Sequence, residues 1–242
     1  MLGDPYVGVH ELVEREAELA ELEVAFGEAC AGRRRMALVT AEAGGGKTAL
    51  IERFCAGQSG PTKVLRGVCD ALFTPRPLGP IEDFAADLGP EFAELLLGEA
   101  VPYQVAAALI ERVRGNGPTV VVIEDVHWAD EATLDVLRLT ARRIRTARVL
   151  IVLSYREEAM DVSHPVRVVL GEVASGLPLT RVRLAPFSPH AVALLAEPYG
   201  IDADELHRVT AGNPFFVKEV LASAEPRYRR PFATPFSHAQ PG

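Results

Sequence analysis

The chain has 242 residues, 48% of them hydrophobic and 24% charged, enough apolar mass for a real core and room for one large domain or one domain with a small appendage. With 33 acidic against 25 basic side chains the net charge is −8, which excludes a sequence-independent attraction for a nucleic-acid backbone, since that needs clustered Lys and Arg. No apolar run has the length a bilayer demands, and Cys30, Cys55 and Cys69 form no C-x-x-C pair, so a zinc knuckle is excluded and the cysteines read as reduced, mostly buried thiols.

The N-terminus carries no basic segment followed by an apolar stretch, so no signal peptide is expected and the chain is predicted to be cytoplasmic. Glu11 to Gly32 reads as one helix, with Leu12, Leu19, Leu22, Val24 and Phe26 on a helical period and acids between them. Met36 to Thr40 is a short apolar run of strand type; Gly44-Gly45-Gly46 and Lys47-Thr48 follow, and Ala49 to Ala56 reads as a helix. Thr62 to Val68 is a second strand, and Asp70 to Pro80, with its prolines and a glycine, a loop. Helical segments are predicted over Ile81–Leu88, Glu91–Leu97 and Tyr103–Val113, ending at the breaker Gly115-Asn116-Gly117-Pro118.

Thr119 to Ile123 is an unbroken β-branched run that suits a strand buried on both faces of a parallel sheet; it ends in Glu124-Asp125. Asp130 is expected to cap a helix running to about Arg145. Val149–Tyr155 and Thr180–Leu184 read as two more strands, separated by a helix near Pro165–Ala174. Strands alternating with helices predict an α/β fold with three layers and a mostly parallel five-stranded sheet. Helices over 189–196, 202–209 and 214–223 then read as a small lid. The expected division is a core over 1–187, a helical lid over 188–223 and a disordered tail over 224–242, where proline is dense and apolar periodicity is lost. The basic clusters Arg33–Arg35, Arg142-Arg143 with Arg145 and Arg148, and Arg227–Arg230 read as solvated surface.

Ala41-Glu42-Ala43-Gly44-Gly45-Gly46-Lys47-Thr48 fits the Walker A pattern except at its first position, where the usual glycine is Ala41. Glycines let main-chain amides, here those of Ala43 to Ala49, close around phosphate oxygens, and the helix that follows turns its positive end toward them. Lys47 is assigned to the β- and γ-phosphates and the Thr48 hydroxyl to Mg²⁺. The strand ending in Glu124-Asp125 supplies the acids of a Walker B segment. Glu124 is placed nearer the metal and Asp125 on the attacking water, with the two roles open to exchange. The metal set is thus Thr48, Glu124 and Asp125.

With both motifs in place, the chain resembles the STAND-type ATPase module among the AAA-like, origin-recognition-like P-loop NTPases, as found at the N-terminus of large LuxR-type transcriptional regulators. The resemblance runs from about Leu12 to Ala222. Leu12-Val-Glu14-Arg15-Glu16 resembles a motif beside the adenine usually written Gly-Arg-Glu, with Glu14 in place of the glycine. Leu72 to Leu78 resembles a loop common in the regulator group, and Glu124-Asp125-Val-His127-Trp128-Ala-Asp130 its extended Walker B. Ser154-Tyr155-Arg156 resembles a sensor that puts Arg156 on the γ-phosphate. Gly212-Asn213-Pro214-Phe215-Phe216 resembles a lid motif whose proline, Pro214, abuts the base; Gly212 and Pro214 as a mere helix break is the alternative. Arg15 and Glu16 read equally as a solvated helix face. Trp128 reads as core, and His127 as packing at the strand end or polarising water.

The resemblance implies binding of ATP or ADP with Mg²⁺ and slow hydrolysis acting as a nucleotide switch. The alternative is a nucleotide-binding scaffold without significant turnover. A DNA-bound initiator is disfavoured by the acidic balance, and a small-molecule kinase lacks a recognisable phosphoacceptor site. Regulators of this group continue into a winged-helix segment, helical repeats and a helix-turn-helix that this sequence lacks. The expectation is therefore a truncated or stand-alone module with no DNA-binding element and no membrane contact. Its partners would be missing regulator domains or a second copy, the latter bringing Arg142, Arg143 or Arg145 in trans.

Overall fold

Five apolar runs become strands: β1 (Arg35–Ala41), β2 (Lys63–Val68), β3 (Thr119–Glu124), β4 (Val149–Arg156) and β5 (Leu179–Arg183). They pair in parallel in the order β2-β3-β4-β1-β5. The computed structural model describes residues 12–224 except 59, 73, 75, 99, 116, 145, 146, 162, 163 and 175–177. The tail expected beyond Ala224, the cluster Arg227–Arg230, Arg145, and Phe73 and Pro75 of the 72–78 loop lie outside the described residues.

All six residues of β3 are buried. Because side chains alternate across a strand, its two faces feed two cores. Val121 and Ile123, with Met36, Leu38, Ile151 and Leu153, face one side; Val120 and Val122, with Ala37, Val39, Leu150 and Val152, face the other. Helices α1 (Glu16–Cys30) and α2 (Lys47–Gly57) cover the second side through Leu22, Phe26, Leu50 and Phe54. The Phe26 and Phe54 rings meet edge to face at 6.1 Å. The first side takes α3 (Gly79–Glu82), α4 (Pro90–Leu97), α5 (Pro102–Gly115), α6 (Glu131–Arg143) and α7 (Pro165–Ala174), which contribute Ile81, Phe92, Leu109, Leu137 and Leu170. Each such side chain is worth about 1.5–3 kcal/mol of transfer free energy, and sheets covered on both faces are where parallel strands persist.

The chain forms two compact units, Met1–Ala185 and Pro186–Gly242. The second is helical: α8 (Pro189–Ala196), α9 (Ala203–Thr210) and α10 (Pro214–Ala222). Ser188, Asp202 and Asn213 cap these helices by accepting from Ala191, Glu205 and Phe215 amides. Asp130 does the same for α6, from Thr133.

Three expectations are corrected. The first helix begins at Glu16, not Glu11, because Glu14 takes a left-handed φ of 58° that a right-handed helix does not accommodate. The single helix expected over 81–88 is a one-turn helix and a separate 3₁₀ turn, Ala86–Leu88; the stretch between Pro80 and Gly89 is too short to nucleate more. Trp128 is 40% exposed rather than core, because the 3₁₀ turn Val126–Trp128 buries its first two residues and turns the indole outward. Among the described residues no helix is long and apolar enough to cross a membrane.

Candidate functional site

In a parallel sheet all carboxyl ends of the strands share one edge, and ligands of open α/β sheets collect there. Ala41 ends β1, Glu124 ends β3 and Arg156 ends β4. Ala41 and Arg156 are register partners. Beyond Ala41 the chain turns over 42–45, closed by the Gly45 amide donating to the Glu42 carbonyl at 3.1 Å. Gly44 and Gly46 take left-handed φ values of 75° and 89°. Gly45 has a different role: a Cβ there would stand 2.6 Å from the Ala41 methyl. The methyl that replaces the customary first glycine is accommodated because Gly45 has none.

Helix α2 starts at Lys47 with no side-chain cap, its N-cap being Gly46. Its first amides therefore point into the loop without a side-chain acceptor, at the positive end of the helix. Lys47 is buried, and among the described residues its ammonium makes only long bonds, 3.4 Å each, to the Ala41 and Glu42 carbonyls. Burial lowers its pKa; Asp125 opposes that, Arg156 adds to it, and Glu158 and Glu124 oppose it. Lys47 thus lies within electrostatic reach of both acids of the β3 terminus and of Arg156. Arg156 has a buried Nε with no hydrogen-bond partner among the described residues.

The Thr48 hydroxyl donates to Glu124 Oε2 at 2.7 Å. Glu124 is buried, and its other oxygen is held by Arg66 of β2, whose Nε and Nη2 lie 2.7 and 2.6 Å from Oε1. Arg66 also reaches Glu52 of α2 at 2.9 Å. Burial pulls the Arg66 pKa down, but the hydrogen bonds and charges of Glu52 and Glu124 outweigh it and the net shift is upward. Asp125 takes a left-handed φ of 51°, and its amide donates to Ser154 Oγ of β4 at 3.0 Å. Strained non-glycine backbone of this kind costs of order 1–3 kcal/mol and clusters at functional sites. His127 is buried, with neither ring nitrogen hydrogen-bonded; Nδ1 lies 3.9 Å from Asp125 Oδ1. Burial lowers its pKa, Asp125 opposes, and Arg156 and Lys47 add to the lowering. After β4, Glu157 accepts from Thr40 Oγ1 at 3.0 Å and Glu158 from the Ala43 amide at 2.8 Å.

Residues 43–49, Glu124, Asp125 and Arg156 thus share one edge of the sheet. The other two residues assigned to the nucleotide stand differently. Arg15 is buried, not solvated: its guanidinium bonds the Ala185 and Glu14 carbonyls and pairs with Glu18 at 3.6 Å. Burial lowers its pKa against the pull of Glu18. Pro214 belongs to the second unit, where it opens α10. Gly212 there has φ 70°, and a Cβ would meet the Phe187 carbonyl at 2.3 Å.

Arg66 is the residue that motif reading missed; its signal was an arginine in the middle of a strand, on the same parity as Val64 and Val68. Of the thiols expected to be mostly buried only Cys69 is, Cys30 and Cys55 being half-buried; burial pushes Cys55 to about 11 and Cys69 to about 12. Among the described residues no group of three or more His, Cys, Asp or Glu could hold a metal ion.

The family model described as "AAA ATPase domain" matches residues 11–152, more than half of the chain. An uncharacterized protein of Rhizobium meliloti (strain 1021) is 31% identical over 175 residues, 68% of this chain and 16% of its own length; the chain spans about a sixth of that relative. Three solved structures share the fold. The Walker-type ATPase of Pyrococcus abyssi gives a TM-score of 0.55 at 15% identity, covering 85% of this chain and 66% of its own. Cdc6p from Pyrobaculum aerophilum gives 0.53 at 16%, with 80% and 51% covered. A RuvB variant of Thermotoga maritima gives 0.51 at 13%, with 87% and 61% covered. The chain belongs to the AAA ATPase domain family.

Proposed function

We propose that this AAA ATPase domain binds ATP with Mg²⁺ between the 41–48 loop and the β3 acids, hydrolyses it slowly, and serves as a nucleotide switch within a larger regulator of LuxR type. The observation that carries the reading is the junction of Thr48 Oγ1 and Glu124 Oε2 at 2.7 Å, beside a buried Lys47 whose acceptors among the described residues are two carbonyls at 3.4 Å. A buried ammonium so weakly satisfied is costly unless an anion completes its shell. The uncapped α2 terminus and the unpaired Arg156 Nε ask for the same complement.

A divalent cation fits the residues present. Thr48 and Glu124 converge at 2.7 Å, two oxygen donors of the kind Mg²⁺ takes beside phosphate and water. Bound there, Mg²⁺ neutralises charge on the β- and γ-phosphates. The chain's own groups do the rest. Lys47 and the loop amides hold the phosphates, Arg156 stabilises charge on the γ-phosphate, and Asp125 orients the attacking water. Glu124 takes the metal side, because it and not Asp125 bonds Thr48. By resemblance to the family pattern, Arg15 takes the adenine side.

Glu158 favours a second reading, a scaffold with little turnover, since its carboxylate already occupies the Ala43 amide. Self-association through Arg142 or Arg143 draws less support, because Arg143 is stacked on Tyr103 at 4.6 Å. The 16% span of the Rhizobium relative fits a module of a longer protein. Steady-state phosphate release tests the proposal. Mg²⁺-dependent release that Lys47→Ala abolishes is the expected result. Tight ATP binding with no release selects the scaffold, and no binding at all overturns both.

A further inference from the structure

Arg66 and Glu124 meet for a reason of register. Lys63 pairs with Thr119 and Val68 with Glu124, so Arg66 stands opposite Val122, one step of the two-residue repeat before Glu124. Val122 faces α2, and Arg66 with Glu124 shares that parity, which puts Glu52 of α2 within reach.

A guanidinium usually engages a carboxylate as a fork, one donor to each oxygen. Here Nε and Nη2 both converge on Oε1, at 2.7 and 2.6 Å, while Nη1 is drawn off to Glu52 at 2.9 Å. Both acceptor sites of Oε1 are thereby used. Oε2 alone is left facing Thr48. The carboxylate is 4% exposed, so rotation to exchange its oxygens would strip a buried anion of its counter-charge.

We propose that Arg66 locks Glu124 as a one-oxygen ligand and so makes this site select Mg²⁺ over Ca²⁺. The inference rests on the nucleotide-binding reading above. A small octahedral cation that keeps several waters needs one carboxylate oxygen. The larger Ca²⁺ gains most from a carboxylate that can give two, in a looser shell of more oxygens. Glu52 is the anchor that holds the guanidinium off the second oxygen. Arg66 is thus a positioning residue, acting through Glu124.

The test is a fluorescent-ATP titration in EDTA, and at fixed nucleotide against Mg²⁺ and against Ca²⁺, for the wild type, Arg66→Met, Arg66→Lys and Glu52→Gln. Urea midpoints are measured in parallel. Arg66→Met is expected to move the ratio of half-saturating Ca²⁺ to Mg²⁺ toward Ca²⁺ by about tenfold, the scale of losing a partner that orients a metal ligand. Arg66→Lys, with an ammonium to place on Oε1, returns the ratio toward wild type, and Glu52→Gln, which frees the guanidinium to fork across both Glu124 oxygens, weakens both cations without moving the ratio toward Ca²⁺. Loss of fold weakens both cations alike and leaves the ratio in place, so an unmoved ratio in Arg66→Met overturns the proposal. Should that variant not fold, Arg66→Gln, which carries no charge to hold Oε1, decides in the same way. A wild type that binds nucleotide under neither cation overturns the reading beneath, and this inference with it.

Discussion

Helices α2 and α10 each open behind a glycine, and their polar groups are used in opposite ways. At α10 the start is closed locally. Gly212 lets the Phe187 carbonyl approach, its own carbonyl accepts the Phe187 amide at 2.7 Å, Asn213 caps the Phe215 amide at 3.1 Å, and Pro214 brings no amide. At α2 the start is left open. Gly46 has no side chain to cap with, Lys47 is buried with two long contacts, and Thr48 reaches across to another strand's acid. A glycine ahead of a helix marks a backbone requirement in both places. Only where the polar groups stay unspent does it mark a place for something else.

The comparison can be broken most forcefully at Lys47. Lys47→Met is expected to weaken ATP binding by about 100-fold or more, the loss of a charged phosphate contact in a shielded site, while raising the urea midpoint. The sign follows from linkage. Burial lowers the folded-state pKa below 10.5, so the native state holds fewer protons than the unfolded chain between those two values. The cost of burying the charge is then fully present at neutral pH and fades as pH rises toward 10.5. The stability advantage of Lys47→Met should shrink over that same interval. A variant that loses binding and also unfolds more easily contradicts the claim that the ammonium is held there for a ligand.

Gly45 gives the next largest effect. Gly45→Ala sets a methyl 2.6 Å from the Ala41 methyl and should cost about 1–3 kcal/mol as an overpacked contact. Adding Ala41→Gly should restore most of it, a coupling that urea unfolding of the two single variants and the double variant measures. At the closed start, Asn213→Ala should cost about 1 kcal/mol of stability and leave the nucleotide affinity of the folded protein within about twofold. A larger loss of affinity would give the α10 start a ligand role. The smallest effect is expected at Glu14, a turn shaped for glycine but lacking one: Glu14→Gly relieves a φ of 58° and should stabilise the fold by about 0.5 kcal/mol in thermal or urea unfolding.

The layered α/β fold was legible because β3 is an uninterrupted apolar run, which only a doubly covered strand tolerates, and because a breaker or capping residue bounds most helices. The loop and its acids were legible from spacing. What stayed hidden depends on pairs distant in sequence. Nothing local announces that Arg66 stands beside Glu124, since that follows from which strands become neighbours. Nothing local shows that Ala41 survives in the loop because Gly45 faces it. Trp128 was misread as core because hydrophobicity says where a ring is comfortable, not which way a 3₁₀ turn points it. Glu14 was visible as a departure from a glycine, yet only the backbone showed the cost, a late start to α1.

The most direct measurement of the central claim is an equilibrium titration of wild-type protein and Thr48→Ala with fluorescent ATP, with and without Mg²⁺. Saturable binding that Mg²⁺ strengthens in the wild type and no longer strengthens in Thr48→Ala is the predicted result. Binding that ignores Mg²⁺ in both proteins, or no saturable binding in either, contradicts a cation held between Thr48 and Glu124.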